Sequence, residues 1–102
     1  MTFLYLDTSE INTAKVAVDI DGKKYEKVSE SRILKSQMVL PMIEEVLKEQ
    51  KLTLHDITEI TVATGPGSFT GLRVGATVAN ALGYLLDIPV NGKRALVIPK
   101  YA

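Results

Sequence analysis

Residues Gly65-Pro66-Gly67-Ser68-Phe69-Thr70-Gly71-Leu72-Arg73-Val74-Gly75 lie between an apolar run ending near Thr64 and a long uncharged segment. That position makes them a loop joining a strand to a helix. Gly65 and Gly67 admit backbone angles closed to residues with a Cβ, and Pro66 fixes its own φ. Ser68 or Thr70 supplies a hydroxyl to cap the first free N–H groups of the helix. Whatever fold the chain takes must place a strand, this loop and a helix in direct succession. A loop of this kind also presents bare backbone donors to an anion or a partner.

The flanking segments extend the pattern. Phe3 to Asp7 is a short apolar run closing on an acidic residue and the hydroxyls of Thr8 and Ser9, as expected of a buried strand that opens into a loop. Lys15 to Ile20 alternates in polarity, and Asp21-Gly22 is a hairpin signal leading into Lys24 to Val28. From about Ile33 to Lys51 the apolar spacing becomes helical, with Pro41 inside expected to bend the helix or shift its first turn. Thr61 to Thr64 reads as a compact strand, Phe69 to Leu86 as the second helix, and Pro89-Val90 as the start of a short parallel strand. Leu96-Val97-Ile98 reads as a further edge strand, where Pro99 is tolerated. The order β-β-β-α-β-α-β is that of a ribonuclease-H-like half, the unit duplicated in the actin, hexokinase and Hsp70-type ATPases. The expected fold class is therefore α/β with a mixed sheet.

The chain has 102 residues, the size of one domain. Twelve basic residues balance twelve acidic ones, so no broad field draws the chain onto nucleic acid or an anionic membrane. There is no cysteine and a single histidine, His55, which excludes a disulfide framework and leaves a zinc site almost without ligands. The longest uncharged stretch, Val74 to Leu86, falls short of the roughly 20 apolar residues of a membrane span. A protein of the cytoplasm, with no membrane association, is the expectation.

The helices argue for a partner. Wound at about 100° per residue, the first places Met38, Val39, Leu40, Met42, Ile43, Val46 and Leu47 over more than half of its circumference. One edge covers the sheet; the other, with Met38 and Met42, is expected to stay apolar in the monomer, where methionine suits a surface that repacks against another chain. The second helix carries apolar residues all round, with Arg73 its only charge before Asp87. Gly75, Ala79 and Gly83 recur every fourth residue along one edge, a shallow track for another helix backbone. The alternative reading is that the methionines fill the local core and the small-residue edge packs on the sheet.

Catalytic and ligand sites find little support. Gly65, Gly67 and Gly71 lack the Rossmann spacing, and no lysine follows as a P-loop requires. No serine, threonine or cysteine has a visible base and orienting group. His55 reads as an exposed loop residue, and Glu44, Glu45, Lys48 and Glu49 as a solvated helix face. No metal site and no cofactor are expected.

Four segments, in order, resemble the TsaB (YeaZ) family, the non-catalytic partner in the bacterial machinery that makes threonylcarbamoyladenosine in tRNA. They are Leu6-Asp7-Thr8-Ser9, Ser36-Gln37 with Leu40-Pro41-Met42-Ile43, the Gly65–Gly75 string, which matches nearly letter for letter, and Ile88-Pro89-Val90. The resemblance implies that the two helices form a bundle with those of the catalytic paralogue TsaD, the threonylcarbamoyl transferase. By position it implicates Met38, Met42, Val46, Ser68, Phe69, Thr70, Arg73, Val74 and Val78 as contacts. It implies no catalytic residue in this chain, a TsaE-like ATPase as a further partner, and tRNA engaged only through the complex. Asp7, Thr8 and Ser9 also resemble the first phosphate loop of the sugar kinase and Hsp70 superfamily, read here as a vestige bonded to neighbouring backbone.

Two departures accompany the resemblance. The familiar TsaB has a second domain of similar size, whereas this chain stops at Ala102, so a single ribonuclease-H-like domain over 1–102 is expected. Lys35 stands where many relatives place histidine. The leading functional expectation is a non-enzymatic subunit that binds and activates a TsaD-like transferase. The alternative is a self-associating, homodimeric module using the same patch without a modification role; an ATP-binding half-site around Asp7 and the glycine loop ranks third.

Overall fold

The computed structural model describes residues 1–10, 12–30 and 35–98. It contains three strands, β1 (Thr2–Asp7), β2 (Thr13–Ile20) and β3 (Lys23–Glu30), then helix α1 (Lys35–Glu49), a single 3-10 turn (Leu54–Asp56), strand β4 (Glu59–Val62) and helix α2 (Phe69–Leu86). The sheet order is β3-β2-β1-β4. The first three strands form an antiparallel meander, and β4 joins β1 in parallel, Leu4 opposite Ile60 and Leu6 opposite Val62. The Asp21-Gly22 turn has positive φ at both residues, 52° and 90°, the geometry of a tight hairpin turn matched to strand twist.

Period-two alternation sends Leu4 and Leu6 of β1, Val16 and Val18 of β2, and Ile60 and Val62 of β4 to the same face, where all are buried. Both helices lie on that face. The buried cluster joins these residues to Val39, Met42, Ile43, Val46 and Leu47 of α1 and to Ala79 and Leu82 of α2. The opposite face carries Phe3, Tyr5, Lys15 and Thr61, and no described helix covers it. Lys24 sits over the Tyr5 ring there, 5.4 Å from its centroid.

The ribonuclease-H-like half is present, with local revisions. Helix α1 runs through Pro41 without interruption from Lys35; residues 33 and 34 of the expected helix, and the Lys35 side chain, lie outside the described residues. Strand β4 begins two residues earlier than Thr61, because its extent is set by the ladder with Phe3 to Leu6. The strand expected at Pro89-Val90 is a single parallel bridge between Ile60 and Val90. Leu96-Val97-Ile98 is not a strand: Leu96 and Ile98 are exposed, and the Val97 backbone is bonded at 2.9 Å to both ends of the Asn80 side-chain amide. Pro99 lies outside the described residues.

Candidate partner interface

The glycine loop and the loop after β1 are bound to one another. Thr8, buried, donates from Oγ1 to the Gly71 carbonyl at 2.6 Å, and the Ser68 N–H donates to the Ser9 carbonyl at 2.7 Å. Gly67 makes that approach feasible: a Cβ at this position would lie 2.7 Å from Ser9 Cβ and from its carbonyl oxygen. Ser68 is the helix cap, its Oγ accepting from the Gly71 N–H at 3.2 Å. Asp7 is exposed and accepts from the Ser9 N–H at 3.0 Å and from its Oγ at 2.5 Å, a local turn of the Asx type. The phosphate-loop-like residues thus hold two loops together. Among the described residues, no group of three or more His, Asp or Glu side chains is placed to hold a metal ion.

Helix α2 has two unlike sides. Gly71, Leu72, Gly75, Ala76, Ala79, Leu82 and Gly83 face inward. A Cβ on Gly75 would come within 2.5 Å of Thr8 Oγ1, and one on Gly83 within 2.5 Å of Val90 Cγ2. The small-residue edge is therefore spent on the chain's own sheet and on the segment after α2, which corrects the expectation of a free track for another helix. On the other side Phe69, Arg73, Thr77, Ala81 and Leu85 fall every fourth residue, and all five are exposed. Thr70 and Tyr84 flank this row; Tyr84 is 86 % and Leu85 74 % exposed. Arg73 lies over the Phe69 ring, 5.6 Å from its centroid.

The implicated residues divide accordingly. Phe69, Thr70 and Arg73 are on the exposed side of α2, with Val74 and Val78 half-buried at its margin and Ser68 half-buried at its cap. Met42 and Val46 are core residues, 7 % and 1 % exposed, because α1 packs on β2 and β3 with α2 alongside it, so both of its apolar rows are covered. The expectation that Met42 remains uncovered in the monomer is thus overturned. Met38 is half-buried, with the Ser29 hydroxyl 3.7 Å from its sulfur. On α1 the exposed apolar residues are Leu40 and Pro41. Tyr84 and Leu85 were absent from the residues singled out by resemblance. The signal was already in the sequence: Leu85 is the last member of the every-fourth-residue row that starts at Phe69, and Tyr84 lies beside it.

Elsewhere the electrostatics are modest. Lys27 of β3 reaches Glu49 and Glu45 of α1 at 2.8 and 3.2 Å, and these two carboxylates raise its pKa above the usual 10.5. No described helix is long and apolar enough to cross a membrane.

This fold, in which the loop after β1 is bound to the glycine loop and one side of α2 is exposed, defines a ribonuclease-H-like half-domain. A family model described as "TsaD: tRNA N6-adenosine threonylcarbamoyltransferase" matches residues 30–94. The chain is 38% identical, over 88% of its length, to the tRNA threonylcarbamoyladenosine biosynthesis protein TsaB of Haemophilus influenzae, of which it covers 38%. It is 32% identical, over 94% of its length, to the protein of that name from Bacillus subtilis, of which it covers 42%. Among solved structures, YeaZ from Pseudomonas aeruginosa superimposes with a TM-score of 0.82 at 33% identity, over 88% of this chain and 43% of that one. The chain belongs to the TsaB/YeaZ family, and it spans less than half the length of these relatives.

Proposed function

We propose that this chain is a non-catalytic partner subunit that binds and activates a TsaD-like threonylcarbamoyl transferase in the threonylcarbamoyladenosine modification of tRNA. The observation that carries the reading is the exposed row Phe69, Arg73, Thr77, Ala81 and Leu85, with Tyr84 beside it. A helix side bearing one cation and no acid, in a chain whose core is already complete, is suited to burial against another polypeptide. The family names of the relatives supply the pathway. Residues 1–102 act in this reading as one domain, in the cytoplasm. A TsaE-like ATPase joins the assembly, and tRNA is engaged through the complex rather than by this near-neutral chain alone.

The experiment is reconstitution with the cognate transferase and its remaining partners. Adding the chain is expected to raise modification of the tRNA, and the chain is expected to co-elute with the transferase. Equal modification with and without it would refute the assignment. A homodimer through the same helix side would instead give self-association that the transferase does not displace.

A further inference from the structure

The two edges of the sheet differ. On β4 the outward groups are taken within the chain: Ile60 N–H donates to the Pro89 carbonyl at 3.1 Å, and the Asn91 N–H donates to the Ile60 carbonyl at 2.8 Å. The Asn91 side-chain amide bonds the N–H and the carbonyl of Val62, at 2.8 and 3.1 Å. The other edge is β3, eight residues paired along their whole length with β2 and, among the described residues, bonded to no backbone on the far side. The two-residue Asp21-Gly22 turn closes on the pair Ile20–Lys23, which is therefore a hydrogen-bonded pair. By alternation Lys23, Tyr25, Lys27 and Ser29 bond to β2, and the N–H and C=O groups of Lys24, Glu26, Val28 and Glu30 point outward. The side chains of these same four residues stand on the open face of the sheet, and all four are exposed. Glu26 and Glu30 have no ion pair among the described residues, and neither a proline nor a bulge interrupts the strand.

We propose that the β3 edge is a strand-addition site for a second copy of β3, paired antiparallel about a two-fold axis at Lys27. The strand is complementary to itself in that register. An outward-bonding residue must face another outward-bonding residue, and the axis at Lys27 achieves this for all four: Lys24 faces Glu30 of the second copy, Glu26 faces its Val28, and the reverse. Open-face residues meet only open-face residues, so the two sheets join with matching faces. The charges then discriminate. At Lys27 both Lys24–Glu30 contacts join opposite charges, whereas an axis at Glu26 sets that carboxylate against its own copy and an axis at Val28 sets Glu26 against Glu30. Charged side chains ordinarily keep an edge strand from pairing; here they leave one register open. Lys27 meets its own copy on the axis, but on the helix-covered side, where Glu45 and Glu49 of its own chain hold each ammonium at 3.2 and 2.8 Å. Helix α1 packs mainly on β2, one strand in from the edge, which leaves room for a neighbouring sheet. The exposed side of α2 takes no part and stays open to another protein.

Sedimentation equilibrium of the full chain tests this. The parent is expected to dimerise reversibly as its concentration rises. Lys24→Glu and Glu30→Lys each make both contacts repulsive, and each is expected to weaken the dimer about tenfold or more. The double variant Lys24→Glu/Glu30→Lys keeps the parent's net charge and exchanges the signs within each contact, so its association is expected to return to the parent's level. Leu85→Asp, on the exposed side of α2, is expected to leave association unchanged, which separates this edge from a homodimer through that helix. Amide exchange locates the contact: Glu26 and Val28 are expected to slow as the dimer fills, while Ile60 and Val62, already bonded within the chain, stay the same. A parent that remains monomeric would overturn the proposal, as would single reversals that associate like the parent or a double variant no better than either. Dimerisation lost in Leu85→Asp, or formed without slowed exchange at Glu26 and Val28, would overturn it too.

Discussion

Gly75 shows how far one missing atom group shapes this molecule. A methyl there meets Thr8 Oγ1 at 2.5 Å and Val62 Cγ2 at 3.2 Å, so Gly75→Ala must either push α2 off the sheet or displace the buried Thr8 hydroxyl from Gly71. Overpacking of this kind costs about 1–3 kcal/mol, and a lowered thermal midpoint with a retained fold is the expected outcome; an unchanged midpoint would mean that the contact gives way freely. Glycine content was visible in the sequence, but its direction was not. Spacing placed Gly75, Ala79 and Gly83 on one edge, and only the packing of α2 against Thr8, Val62 and Val90 shows that this edge faces inward. Asn91 was silent for a similar reason, since nothing local distinguishes a turn asparagine from one whose amide completes a distant strand.

The elements were more legible than their neighbours. Hydrophobic period gave both helices, and the Asp21-Gly22 signal gave the hairpin, because these depend on short-range geometry. Leu96-Val97-Ile98 carries strand composition yet forms none: the edge it needed is already closed by Pro89 to Asn91. The apolar width of α1 was read correctly and assigned wrongly, as α2 and the sheet together cover Met42 and Val46. Between β3 and α1, the Lys27 pair with Glu49 and Glu45 makes its own prediction. The folded pKa is raised, so the stabilisation is fully present below the unfolded value of 10.5 and fades as pH rises through the folded value. Thermal melts between neutral pH and strongly alkaline pH should show Lys27→Met losing less stability than the parent chain over that last interval. Since both acids are more than half exposed, the difference is expected to be small.

At the scale of the whole molecule, the sheet with helices on one face hides its core without help, so the surplus apolar surface is narrower than the helical wheels imply. On the helices it reduces to one side of α2, from Phe69 to Leu85, with Leu40 and Pro41 exposed on α1; Val28, Leu96 and Ile98 are exposed outside them. That side contributes little to folding. Leu85→Asp is expected to shift stability by no more than about 0.5 kcal/mol, checked by denaturant titration, while removing the proposed association with the transferase. Binding and stability should therefore separate cleanly, unlike at Gly75, where they should fall together.

The direct measurement is the affinity of this chain for its cognate TsaD-like transferase, by sedimentation velocity, for the parent and for Leu85→Asp. A one-to-one complex for the parent, lost in a variant that melts at the parent's temperature, is the predicted result. Undiminished binding by Leu85→Asp, or no complex with the parent at any accessible concentration, would contradict it.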